Sequence, residues 1–143
     1  MKNQEFEQRI EKYLKRQFGI TISAASKRQV YEALMSTVRE KLSEKKFAYE
    51  QELKKTKQKR AYYMSMEFLV GRTLRNNLFN LGIEKETKEY LEKNNFNLDD
   101  IYDIEPDPGL GNGGLGRLAS CYLDALTSSD YPVTGFSILY EYG

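Results

Sequence analysis

Residues 109–116 read Gly-Leu-Gly-Asn-Gly-Gly-Leu-Gly, five glycines in eight positions. No other tract in the chain narrows the choice of fold as much. Each glycine loses more backbone freedom on folding than any other residue, so such a run fits a place where the main chain turns sharply or comes close to something. Apolar residues follow at helical spacing: Leu115, Leu118, Ala119, Tyr122 and Leu126. A helix that opens out of a glycine run presents unpaired N–H groups and the positive end of its dipole. That combination favours an anion or a sugar hydroxyl. The competing structural reading is a tight loop that lets the helix pack close to a sheet.

The spacing Gly-x-Gly-x-x-Gly occurs twice, at 109/111/114 and at 111/113/116. A dinucleotide loop should follow a strand directly, with an acidic residue about 20 positions on. Here Glu105-Pro106-Asp107-Pro108 precedes the run and Glu141 lies too far beyond it. A Walker-type triphosphate loop is excluded, because no Gly-Lys-Ser/Thr closes the run. A nucleotide-binding α/β domain stays as a rival, and a helical interaction module as a second, from the helix-rich first 60 residues.

Periodicity sets the surroundings. Phe6, Ile10, Leu14 and Phe18 predict an amphipathic helix over 5–18 that stops at Gly19. Ser26 and Gln29 form a capping box ahead of the stripe Val30, Ala33, Leu34, Val38 and Leu42. A further helix, or a continuation, runs from about Phe47 to Lys57. The cluster Lys54, Lys55, Lys57, Lys59 and Arg60 reads as a phosphate-binding patch or, more simply, as a solvated helix end. From Ala61 the chain alternates, with Tyr62, Met64, Met66 and Phe68 on one side, which predicts a strand bounded by Gly71. Short helices follow, one ending at Gly82 and one over 85–93. Residues 97–108 are acidic and turn-like, and Val133–Tyr140 reads as a second strand. Strands separated by helices predict an α/β fold with a parallel sheet, mostly helical and with two strands. The expected division is a helical segment over 1–60 and the start of an α/β domain over 61–143.

Composition removes several chemistries. The chain has no His and one Cys, so an internal disulfide and a Cys/His zinc site are both excluded and no metal site is expected. Net charge is +1, but residues 1–60 hold 16 basic and 8 acidic groups and residues 61–143 hold 6 and 13. The overall balance argues against a nucleic-acid partner. No apolar run approaches the roughly 20 residues of a membrane span, and the N-terminus lacks the apolar core of a secretory signal. The simplest compartment is cytoplasmic. Among side chains, Glu67 sits near the end of the first predicted strand, where α/β sites gather. Its alternative role is an ion pair with Arg72 or Arg117. Arg117, in the first turn of the glycine-loop helix, could bind phosphate or make that pair. Cys121 reads as a small hydrophobe between core positions Leu118 and Tyr122.

Arg60–Arg72 (RAYYMSMEFLVGR) and Glu105–Ala119 (EPDPGLGNGGLGRLA) resemble the α-glucan phosphorylase family, which includes glycogen, starch and maltodextrin phosphorylases. Residues 140–143 (YEYG) resemble the YEFG-type tract that follows in those enzymes, and the likeness covers about residues 26–143. It implies two Rossmann-like domains in the GT-B architecture and a homodimer. It implies phosphorolysis with retention: inorganic phosphate releases glucose 1-phosphate from α-1,4-glucan. It also implies pyridoxal phosphate, held as a Schiff base by a Lys of the C-terminal domain. Backbone amides at Gly113, Gly114, Leu115 and Gly116 would face the substrate phosphate and the sugar, with Asn112, Arg117 and Glu67 in support. Leu69 stands where the animal enzymes carry a Tyr, as in bacterial members, and Lys54 replaces an aromatic nucleotide-contacting residue. The cofactor Lys and the catalytic side chains would lie beyond Gly143. The chain is therefore expected to be an N-terminal piece, inactive alone, with apolar edges exposed on the second strand and on the glycine-loop helix.

Overall fold

The computed structural model describes residues 2–141, so Tyr142 and Gly143 of the YEYG tract lie outside the described residues. In chain order the elements are α1 (Lys2–Phe18), a 3-10 turn (Ile22–Ala24), α2 (Lys27–Thr56), β1 (Ala61–Met64), α3 (Leu74–Leu81), α4 (Glu84–Lys93), α5 (Leu98–Tyr102), α6 (Gly114–Ser128) and β2 (Val133–Phe136). The two strands pair in parallel, Ala61 opposite Val133 and Met64 opposite Phe136. The chain is thus mostly helical with a parallel strand pair, an α/β arrangement. It divides into two compact units, Met1–Lys46 with Thr73–Pro106, and Phe47–Arg72 with Asp107–Gly143.

The first unit owns a closed core. Phe6, Ile10 and Leu14 of α1, one apolar residue per turn, pack with Val30, Ala33, Leu34 and Val38 of α2. Leu74 and Leu78 of α3, Tyr90 and Leu91 of α4, and Leu98 and Ile101 of α5 complete it. The capping box forms as the sequence predicts: Gln29 Oε1 accepts the Ser26 N–H at 2.9 Å, and Ser26 Oγ accepts the Gln29 N–H at 3.3 Å. With no Gly or Pro from Lys27 to Thr56, nothing interrupts α2, so the expected second helix is its continuation. Leu42 is 38% exposed, so the buried stripe ends at Val38. Residues 97–108 are not turns alone. Asn97 accepts the Asp99 N–H at 2.8 Å and caps α5, where Leu98 and Ile101 are buried one turn apart. Asp99 and Asp100 in that first turn suit the positive helix end.

Polar contacts tie these helices at their rims. Arg9 of α1 reaches Glu5 at 2.6 Å, Glu44 at 2.7 Å and Glu40 at 3.2 Å. The Arg9 hydrogen bond is the main reason that the Glu5 carboxyl ionises below its usual range. The Tyr90 hydroxyl donates to Glu11 and that of Tyr102 donates to Glu84. Burial first, and these carboxylates second, hold both phenols above their ordinary ionisation.

The second unit is open. β1 stops at Met64, short of Phe68, and β2 stops at Phe136, short of Tyr140. The alternation is real, but Tyr62 and Met64 (83% exposed) face solvent, because a two-stranded sheet has little to cover them. In α6 the buried residues are Gly116, Ala119 and Ser120, small side chains that permit close packing. Leu115, Leu118 and Tyr122 are exposed, as is Cys121, so the core setting expected for that thiol is corrected. Phe136, Ile138, Leu139 and Tyr140 are exposed too. The apolar edges expected on α6 and around β2 are therefore present. No helix among the described residues is long and apolar enough to cross a membrane.

Two outcomes are expected. Leu34→Ala, at a fully buried site, should lower stability by about 2–5 kcal/mol, read from the urea midpoint. Raising pH past the ordinary tyrosine value of 10.0 ionises Tyr90 in the unfolded chain before the folded one. Stability should therefore be intact below that pH and fall above it, and Tyr90→Phe should make the alkaline decline shallower.

Candidate functional site

The loop at 109–116 and the first turn of α6 are built on the segment just after β1. Phe68 N–H donates to Leu110 C=O at 2.9 Å, and Leu69 N–H donates to Gly116 C=O at 3.0 Å. Between these two bonds Glu67 Oε2 accepts the Asn112 N–H at 3.3 Å. The Glu67 backbone is itself fixed in a small turn: Ser65 Oγ donates to Glu67 C=O at 2.7 Å and accepts the Glu67 N–H at 3.3 Å. Ser137 and Tyr140 hydroxyls both donate to Met66 C=O, so the segment after β2 braces the same turn.

The glycines sort into two kinds. Gly111 has φ +150°, and a Cβ there would lie 3.0 Å from Glu67 Oε2 and 3.1 Å from its Cβ. A Cβ at Gly116 would lie 3.0 Å from Glu67 Cβ and 3.3 Å from the Leu69 N. These two are bare because Glu67 occupies the space. At Gly113 and Gly114 an added Cβ would meet nothing within 4 Å. The helix begins at Gly114, and its first i→i−4 bond runs from Arg117 N–H to Gly113 C=O at 3.1 Å. The amides of Gly114, Leu115 and Gly116 therefore precede the first helical donor. The glycines differ in surroundings: Gly111 and Gly116 allow the tight packing, while Gly113 and Gly114 leave the helix start open.

The predicted site residues are brought together, with two corrections of role. Gly113, Gly114, Leu115 and Gly116 form one turn at the head of α6, and Asn112 contributes its backbone amide beneath it. Glu67 is half-buried under the loop, taking the Asn112 N–H rather than an ion pair with Arg72 or Arg117. Arg117 is exposed on the first turn, with no ion-pair partner among the described residues. The sequence gives no sign of the Phe68 and Leu69 amides, the Leu110 carbonyl or the Ser65 hydroxyl as loop supports. Three of those four groups are main-chain atoms, which no residue type announces. Among the described residues, no group of three or more His, Cys, Asp or Glu is placed to hold a metal ion.

A parallel strand pair beside a helix that opens from a glycine turn, with unpaired amides at its head, defines an α/β protein whose loop leaves main-chain donors at a helix start. The family model for carbohydrate phosphorylases matches residues 91–143. A glycogen phosphorylase of Chlamydia pneumoniae is 44% identical over 120 residues, which is 84% of this chain and 15% of that protein. The brain form of glycogen phosphorylase from Bos taurus is 40% identical over 121 residues, 85% of this chain and 14% of its own length. Alpha-glucan phosphorylase 1 of Arabidopsis thaliana is 51% identical over 85 residues, 59% of this chain and 9% of its own. The chain belongs to the carbohydrate phosphorylase family. It spans 15% or less of the length of these relatives.

The two kinds of glycine should separate in stability. Gly116→Ala forces a methyl against Glu67 and the Leu69 backbone and should cost about 1–3 kcal/mol. Gly114→Ala enters open space at a helical position and should be neutral or stabilising by up to about 1 kcal/mol. Thermal melts of the two variants check this, and equal losses would refute the sorting.

Proposed function

We propose that this chain contributes the glycine loop of an α-glucan phosphorylase, a longer enzyme in which inorganic phosphate cleaves α-1,4-glucan to release glucose 1-phosphate. The observation that carries the reading is the open turn at Gly113–Gly116, buttressed by Glu67 and belonging to a phosphorylase-family chain. Bare amides at Gly113, Gly114, Leu115 and Gly116 would donate to phosphate oxygens or sugar hydroxyls. The loop is held by its own hydrogen bonds to the segment after β1 before any ligand arrives, so little reorganisation is needed. The missing Cβ atoms at Gly113 and Gly114 would let an oxygen come within hydrogen-bonding distance of the main chain. Arg117, one turn in, adds a cation near the same end. The tract supplies binding and charge stabilisation, while the catalytic side chains belong to the rest of the longer protein.

Several features of the reading belong to the longer protein: the GT-B architecture, the homodimer and a cytoplasmic setting. In it, residues 1–60 form a helical entry and residues 61–143 begin the first Rossmann-like domain. Pyridoxal phosphate is the implied cofactor. No lysine side chain among the described ones is buried, so the residues here do not fit its aldehyde end. Its attachment belongs elsewhere in the longer protein.

The test is phosphate-dependent release of glucose 1-phosphate. The longer protein should show it and the 143-residue chain alone should not. Gly114→Ala in the longer protein keeps the amide but puts a methyl where the ligand oxygen would approach, and should lower kcat/KM for phosphate by about 10²-fold, the scale of one well-placed oxyanion donor out of reach. Because that variant folds normally on the argument above, the loss would report on the site. Full activity in Gly114→Ala would overturn the role given to the loop. Micromolar binding of NAD or ATP, with no response to glucose 1-phosphate, would favour a nucleotide-binding domain instead.

A further inference from the structure

Asn112 and Gly113 form a dipeptide with a chemistry of its own. The side chain of an asparagine can be attacked by the backbone nitrogen of the residue after it, and a glycine there hinders the attack least. The chain has eight asparagines, and only Asn112 precedes a glycine. Several of the others are held by their side chains. Asn80 Nδ2 donates to Asn76 Oδ1 at 3.2 Å, Asn94 Nδ2 donates to the Tyr90 C=O at 2.9 Å, and Asn97 Oδ1 accepts the Asp99 N–H at 2.8 Å. Asn112 is exposed, and its side-chain amide makes no hydrogen bond among the described residues. Its main-chain N–H alone is tied down, to Glu67 Oε2 at 3.3 Å.

The surroundings of Gly113 leave the attack unobstructed. A Cβ there would meet nothing within 4 Å. The Gly113 N–H has no hydrogen-bond partner among the described residues, so the nitrogen is not engaged elsewhere. The attack passes through an amide anion and then a tetrahedral oxyanion. Both lie at the positive end of α6, whose first amides precede the first helical donor, and that end favours negative charge.

We infer that Asn112 is a modification site, where the folded chain rearranges through a succinimide to aspartate and isoaspartate. The Gly113 nitrogen gives its proton to solvent and bonds to Asn112 Cγ. The Cγ–Nδ2 bond breaks, and Nδ2 takes up a proton and leaves as ammonia. Water then opens the ring, and the glycine nitrogen regains a proton. Opening at Cγ leaves aspartate. Opening at the main-chain carbonyl leaves isoaspartate, whose backbone runs through one extra methylene. Nothing is oxidised or reduced. Either product adds a carboxylate beside Glu67, in the turn that leads into α6. That this harms phosphate binding rests on the function proposed above, whereas the rearrangement itself does not.

The test ages the full 143-residue chain in mildly alkaline buffer, once folded and once in urea. Peptide mass spectrometry and labelling by isoaspartate methyltransferase then locate the products. In the folded chain residue 112 should lose ammonia, and gain the mass of an NH2-to-OH exchange, before any other asparagine does. Asn112→Gln cannot close the same ring, and Gly113→Ala shields the nitrogen with a methyl that enters open space. Both should suppress the gain. Reaction at residue 112 in urea but not in the folded chain would overturn the inference, as would another asparagine reacting first. Asn112→Asp in the longer protein keeps the two proposals apart. It should raise KM for phosphate by about tenfold or more, the scale of one like charge added about 10 Å away near a protein surface. An unchanged KM, alongside modification at residue 112, would sink the functional reading and spare the modification site.

Discussion

The close approach of the glycine loop to Glu67 governs the arrangement of the second unit. At Gly111 and Gly116 the space of an ordinary side chain is filled by one glutamate. That contact allows Leu69 N–H to reach Gly116 C=O, which draws the first turn of α6 onto the segment after β1. Once Gly116 faces inward, helical geometry places Ala119 and Ser120 on the same side, and both are buried. It also turns Leu115, 76% exposed, to the opposite side with Leu118 and Tyr122. The bare amides at the head of the helix and the apolar stripe along its outer side are thus two results of a single packing decision.

The units differ in how they are stabilised. In the first, five helical segments converge on side chains with essentially no exposure, and ion pairs add only a rim. Surface pairs such as Lys27–Asp100 contribute little beside such a core. In the second, buried residues among the described ones are few and small apart from Leu53, and backbone hydrogen bonds carry much of the order. A ligand loop benefits from this, because main-chain donors fixed by main-chain acceptors do not shift with side-chain rotamers.

Legibility in the sequence followed the same division. The α1 stripe, the Ser26–Gln29 box and the stops at Gly19 and Gly82 could be read directly, since each is a local rule about neighbouring turns. The glycine loop was legible for the same reason, as a run with no other economical use. What failed was set by distant partners. Alternation from Tyr62 to Phe68 marks a strand, but strand length depends on a neighbour to pair with, and β2 offers only four residues. The acidic run 97–108 masked the one-turn spacing of Leu98 and Ile101. Glu67 was expected to seek a cation; its actual partner is a peptide N–H 45 residues away, which no side-chain chemistry reveals.

The pairing of Ala61 with Val133 bridges half the chain. Every residue of the helical core, by contrast, precedes Asp107. During synthesis the two units therefore become completable at different times. The helical core can close while the glycine loop is still emerging, whereas β1 must wait for β2 with Tyr62 and Met64 uncovered. Long-range parallel pairing of this kind closes late and leaves an edge open in the meantime. The nascent chain is thus most vulnerable to mispairing along β1, in the interval between release of Met64 and release of Phe136.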